Sequence, residues 1–208
     1  MDISTVWEDL AWQQGGKIVY LILDGVGGLP DPDRGGTELQ VAQTPNLDKL
    51  AKESSCGLLE IVGPGITPVD VVPRPGGMKQ RFQTLQKVYG EKYNFYFLHV
   101  KHSDSKGEDS NFEGKVKVIE EVDQLLPLLT LLNPDVLVVS ADHSTPAIMG
   151  QHSWHPVPVM IHSKYAKVDD VATFDEYACG RGMLGLRPGV QLMGLALAHG
   201  GRLRKYGA

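Results

Sequence analysis

Five side chains have the types and the placing to hold a metal ion: Asp24, Asp104, Asp142, His143 and His152. Carboxylate oxygens mixed with imidazole nitrogens suit Mn, Zn, Fe or Mg. Asp24, Asp104 and the Asp142-His143 pair each follow an apolar run of strand length, and His152 stands just ahead of another. In an open α/β sheet, ligands bind beyond the carboxyl ends of the strands. Shared placement at strand ends therefore implies shared placement in space. Glu108 and Asp109 follow Asp104 in what reads as one loop, and Glu108 is a sixth candidate ligand. Ligands from four separate segments point to two ions rather than one, and paired ions clamp the attacking and leaving oxygens of an in-line phosphoryl displacement. Taken singly, each residue has a plainer reading. An Asp after a strand is commonly a loop residue or a helix cap, and a loop His is commonly just hydrogen-bonded. Only the joint occurrence favours a metal centre. His99 falls inside a strand and reads as a core residue or as support behind the ligands.

The elements that must bring these residues together alternate along the chain. Apolar runs at Ile18–Leu23, 58–62, Phe95–Val100, 136–139 and 157–161 read as strands. Helical spacing appears over residues 3–14, from Pro45 to about Ser54, at Met78–Val88, over 112–131 with Pro127 disturbing the last turns, and over 191–199. Residues 174–182 read as a capped helical turn, and Thr44 as the N-cap ahead of Pro45. Strands alternating with helices give an α/β fold with a mostly parallel central sheet flanked by helices. The turn Asp24-Gly25-Val26-Gly27-Gly28 does not match the G-x-G-x-x-G spacing of nucleotide binders, and no helix opens directly after it. Its glycines instead let the chain turn sharply and leave Asp24 accessible at the strand end.

Bulk properties narrow the function classes. A chain of 208 residues with net charge −5 suits one domain, and it lacks the general positive charge that would hold nucleic acid or an anionic membrane. The basic tail Arg202-Leu203-Arg204-Lys205 reads as a solvated end. No apolar run approaches the roughly 18 residues that span a bilayer, and no basic segment leads into an apolar stretch at the start. Cys56 and Cys179 are far apart and match no zinc or redox spacing, so the expected location is the reducing cytoplasm.

The stretches Ile22-Leu23-Asp24-Gly25-Val26-Gly27-Gly28, Thr44-Pro45-Asn46-Leu47-Asp48 and Ser140-Ala141-Asp142-His143-Ser144-Thr145-Pro146 resemble the alkaline-phosphatase superfamily. With Leu98-His99-Val100-Lys101, Gly107-Glu108-Asp109, Glu113-Gly114-Lys115-Val116 and His152-Ser153-Trp154-His155-Pro156-Val157-Pro158, the chain is similar to the archaeal-type, cofactor-independent phosphoglycerate mutases. The resemblance implies an alkaline-phosphatase-like metal core and two divalent ions, Mn or Mg first and Zn or Co as alternatives. It matches Asp24, Asp142 and His143 to the ligands of one ion and Asp104 and His152 to those of the other. Glu108 stands where related mutases carry a histidine ligand, and His155 is matched to a substrate contact or to a support behind the ligands. The implied substrate is a small phosphorylated metabolite, and the implied reaction interconverts 2- and 3-phosphoglycerate.

One departure weighs against the full reaction. In the family, the loop ending Ile66-Thr67-Pro68 continues into a Gly-Ser segment whose serine is the nucleophile, but here Val69-Asp70 follows. The family also inserts a second domain at this point. The expectation is a single metal-binding domain over residues 1–208, with the place of a missing insertion near 68–78. Thr67 is the nearest hydroxyl, two residues early, which is a large misplacement for a nucleophile. Arg74, Lys79 and Arg81 near the junction read as linker and helix start rather than a phosphate grip. The alternatives are a metal-dependent phosphatase-like hydrolase and a metal-binding remnant without catalysis.

Overall fold

The computed structural model describes residues 10–12, 14–61, 77–90 and 93–204. Most of the helix expected over residues 3–14 lies outside these, as do Thr67, Pro68 and Arg74. In chain order the elements are β1 (Ile18–Leu23), α1 (Glu38–Val41), α2 (Pro45–Ala51), β2 (Ser55–Glu60) and α3 (Met78–Val88). There follow β3 (Phe95–Val100), α4 (His102–Glu108), α5 (Phe112–Leu125), α6 (Pro127–Thr130), β4 (Val136–Ser140) and β5 (Val157–Ser163). α7 (Glu176–Cys179), β6 (Gly185–Pro188) and α8 (Leu192–His199) complete the described fold. No helix among the described residues is long and apolar enough to cross a membrane.

The fold is mixed α/β around one six-stranded sheet in the order β3-β1-β4-β5-β2-β6. All strands run the same way except β5, which is antiparallel to both of its neighbours. Every residue of β1 and β4 is buried. Strands covered on both faces read as unbroken apolar runs, and that is why these two were plain in the sequence. At the edge, β3 alternates exposed and buried residues. Its buried set, Tyr96, Leu98 and Val100, joins a core that includes Phe82 of α3 and Ile119 and Val122 of α5.

Several elements differ from expectation, each for a reason that is not local. The loop expected after β3 is the helix α4. Its polar residues His102, Ser103, Asp104 and Ser105 look like loop, yet Ser103 and Asp104 are buried. β2 starts three residues earlier than expected because Ser55, Cys56 and Gly57 pair with β5. A Cβ on Gly57 would stand 2.6 Å from the Gly185 carbonyl oxygen. β6 is a strand only by pairing with β2, a case of tertiary context overriding propensity. The expected 112–131 helix divides at Leu126, and Pro127 opens α6 at its first position. Thr44 does not cap α2 with its side chain. Asp123, from α5, takes that role: its Oδ1 accepts from the Asn46 and Leu47 amides at 2.9 and 2.7 Å.

Candidate metal centre

Strand register brings the first residues together. Ile22 of β1 pairs with both His99 of β3 and Ser140 of β4. Two residues further on, the same alignment sets Asp24 between Lys101 and Asp142. α4 then starts at once and carries Asp104 inward on its first turn. Asp104 and Glu108 are four residues apart on this helix and so share a face.

Asp24, Asp142 and His143 each offer a ligand atom within 4.8 Å of the others, and so do Asp104, His143 and His152. His143 belongs to both groups, and its ring centroid is 4.0 Å from that of His152. Glu108 stands at the rim: its Oε1 is 3.6 Å from His152 Nε2, and its side chain is half exposed. His155 is in neither group; its Nδ1 lies 3.0 Å from Ser153 Oγ and its ring stacks on Trp154.

The hydrogen bonds around His143 fix how its ring is presented to Asp24. The Thr145 hydroxyl has one proton, and it lies 2.5 Å from Asp104 Oδ1, which can only accept while Asp104 is ionised. Thr145 Oγ1 must then accept from His143 Nδ1, 3.0 Å away. That leaves His143 Nε2 as the free ring nitrogen, and it points at Asp24 Oδ1 from 3.0 Å. A lone pair facing a carboxylate oxygen needs a cation, either a proton on Nε2 or a metal ion. Asp24 is fully buried, and neither of its oxygens, nor His143 Nε2, closes a hydrogen bond. Two ligands each about 2.1 Å from one ion and at right angles to each other lie about 3 Å apart. The residues present therefore fit a divalent ion.

Electrostatics agree. Burial alone would push the Asp24 carboxyl up, but His143, His99 and Lys101 outweigh it and hold the group far below the usual carboxylate range. Burial would likewise push His143 down, yet Asp24, Asp142 and Asp104 carry it up. Contacts to Asp142 and Asp24 raise His99 to about 9. Two more side chains join this set: His99, which the sequence places in the core or behind the ligands, and Lys101, to which it gives no role. His99 Nε2 is 3.0 Å from Asp24 Oδ2 and 3.4 Å from Asp142 Oδ2. Lys101 Nζ is 2.6 Å from Asp104 Oδ2 and 3.5 Å from Asp24 Oδ2. The odd-numbered residues of β3 face away from the core side, and that alternation was the available signal for His99, while Lys101 lies just beyond the strand end.

A second carboxylate supports the first loop from behind. Glu176 of α7 accepts from the Gly28 amide at 2.7 Å and the Thr37 hydroxyl at 2.8 Å. The residue as a whole is partly exposed. Its carboxyl group is nonetheless enclosed, and burial lifts it to about 7. Raised above its unfolded value, it contributes stability that is complete below about pH 4.3 and is lost as pH rises through 7. Between pH 5 and 7.5 the native protein is expected to lose roughly 2 kcal/mol relative to Glu176→Gln. Urea midpoints of both proteins at the two pH values measure this, and parallel changes would contradict it.

Fold and site together define a class: the chain belongs to the metalloenzyme superfamily, whose family model matches residues 16–74 and 59–199. Within that class the chain is similar to named relatives. It is 49% identical over 152 residues to the probable 2,3-bisphosphoglycerate-independent phosphoglycerate mutase of Thermosipho africanus, a match covering 73% of this chain and 36% of that protein. It is 44% identical over 152 residues to a protein of the same description from Thermus thermophilus, covering 73% and 37%. The chain thus spans little more than a third of the length of these relatives. Among solved structures, the PH0037 protein from Pyrococcus horikoshii superposes with a TM-score of 0.84 at 18% identity, covering 93% of this chain and 99% of that one. The cofactor-independent phosphoglycerate mutase from Thermoplasma acidophilum superposes with a TM-score of 0.67 at 13% identity, covering 88% and 99%. These two show a common fold.

Proposed function

We propose that this chain carries the two-cation phosphoryl-transfer centre of a phosphoglycerate mutase, acting on a small phosphorylated metabolite, with interconversion of 2- and 3-phosphoglycerate impaired. Asp24, Asp142 and His143 would hold one divalent ion, and Asp104, His152 and the rim carboxylate Glu108 the other, with Mn or Mg as the metals. The observation that carries the reading is His143 Nε2 aimed from 3.0 Å at the fully buried Asp24 carboxylate, a pair that only a shared cation satisfies. Bound there, the ions would polarise the phosphoryl oxygens and offset the charge that builds on them. Thr145 fixes the His143 tautomer, and the Lys101 ammonium lies between the two groups, where it can attract an anionic substrate. The likeness to full-length mutases supports the substrate class, and their greater length fits an inserted domain missing near residues 68–78. The cytoplasm is the proposed location.

Val69-Asp70 in place of a Gly-Ser segment argues for impaired mutase chemistry and favours a second reading, phosphatase-like hydrolysis. Manganese titration followed by electron paramagnetic resonance, with assays on 3-phosphoglycerate and an aryl phosphate, tests both. The expected result is two ions per chain and slow aryl phosphate hydrolysis stopped by EDTA. Absence of bound metal at millimolar Mn, or hydrolysis indifferent to EDTA, would overturn the proposal.

A further inference from the structure

Lys115 lies on α5 and is completely buried, a rare state for lysine unless its charge is met. Its Nζ donates to the Thr145 carbonyl oxygen at 2.8 Å and the Gly27 carbonyl oxygen at 3.1 Å. Glu38 Oε1 is 3.5 Å away and itself accepts from the Ala147 amide at 2.7 Å. Gly27 sits in the loop that begins with Asp24, and Thr145 in the loop that begins with Asp142 and His143. The two loops already touch: the Thr145 amide faces the Gly25 and Gly27 carbonyls at 3.1 Å each. A Cβ on Gly27 would collide with Ser144 Oγ. Lys115 therefore draws together two carbonyl oxygens, one from each ligand loop.

We propose that Lys115 is a positioning residue for the metal centre, its buried ammonium setting the distance between the Asp24 loop and the His143–Thr145 loop. The proposal rests on the two-cation reading above. Thr145 is the lever. Its carbonyl is held by Lys115, while its hydroxyl bridges Asp104 and His143, one member of a single ligand group and the one member of both. Releasing the carbonyl lets the hydroxyl shift, and the Asp104, His143 and Asp24 spacing shifts with it. A purely structural role for the lysine would be odd, because buried ion pairs are often replaced by apolar groups without loss of stability. Partners of metal ligands, by contrast, commonly change affinity about 10- to 100-fold when removed.

The test measures Mn affinity and the electron paramagnetic resonance spectrum of native protein, Lys115→Met and the double variant Lys115→Met/Glu38→Gln. The double variant is needed because Lys115→Met alone leaves Glu38 buried without its counter-charge. All are compared well below their melting temperatures. The expected result is a folded double variant that binds Mn about 10- to 100-fold more weakly and shows altered coupling between the two ions. If either folded variant binds Mn within about threefold of native, with an unchanged spectrum, the positioning role is wrong while the metal reading stands. If native protein binds no Mn, both fall.

Discussion

Asp24→Asn is expected to weaken Mn binding by more than about 100-fold and to remove metal-dependent hydrolysis with it. The size follows from the position. Asp24 is fully buried, and neither oxygen has a hydrogen bond to lose. Asparagine keeps the shape and removes the one charge that faces His143, His99 and Lys101 together. Losing a partner of a ligand costs about 10- to 100-fold, so losing a ligand outright should cost more. Asp142 is a useful contrast. Its side chain is about a quarter exposed and its Oδ1 already accepts from the Gly25 amide at 3.2 Å. Asp142→Asn should therefore do less harm than Asp24→Asn, and a reversed order in Mn titrations would mean that the buried carboxylate is structural. The metal-free protein supplies a second check. Without the Asp24 charge, His143 loses its nearest anionic partner and should titrate lower than in native protein, which proton NMR of the imidazoles can follow.

What could be read from the sequence divides along physical lines. β1 and β4 were plain because burial on both faces demands apolar side chains throughout. The candidate ligands were plain because Asp and His directly beyond a strand need no long-range information to attract notice. α4 was opaque because its fit depends on Gly107 lying against Thr145, in a loop far along the chain. The cap of α2 is not legible locally because the capping carboxylate, Asp123, is 77 residues from Asn46. Lys101 and His99 needed the β1–β3 register before either could be set beside Asp24. Lys115 carries a local signal of its own. With Ile119, Val122 and Leu126 it keeps the 4-3-4 spacing of the apolar stripe of α5, so a lysine in that stripe marked a buried charge.

Gly107→Ala should destabilise the protein by about 3 kcal/mol, opposite in sign to the usual effect of this change in a helix. In an exposed helix interior, replacing glycine with alanine gains about 1 kcal/mol through backbone entropy. Gly107 lies in α4, and its backbone is not in the left-handed region, so propensity alone predicts a gain. Packing reverses this. A Cβ there would collide with the Thr145 carbonyl oxygen and stand 2.9 Å from its Cγ2. The oxygen is backbone, already held by Lys115, and cannot rotate aside as a side-chain end would. Either α4 retreats, carrying Asp104, or the loop retreats, carrying His143 and Thr145. Both movements open the Thr145–Asp104 hydrogen bond, so Mn affinity should fall together with the melting temperature. For a chain of this size, about 3 kcal/mol is a drop of about 6–12 °C. Gly90 is the control, since nothing lies within 4 Å of an added Cβ there. Its left-handed backbone makes Gly90→Ala costly through strain alone, so that variant should lose stability while Mn affinity stays native. Thermal melts and Mn titrations of the two variants separate the cases. A Gly107→Ala protein more stable than native would show that the contact between α4 and the ligand loop is slack, and tight coupling between helix packing and ligand spacing would then be wrong.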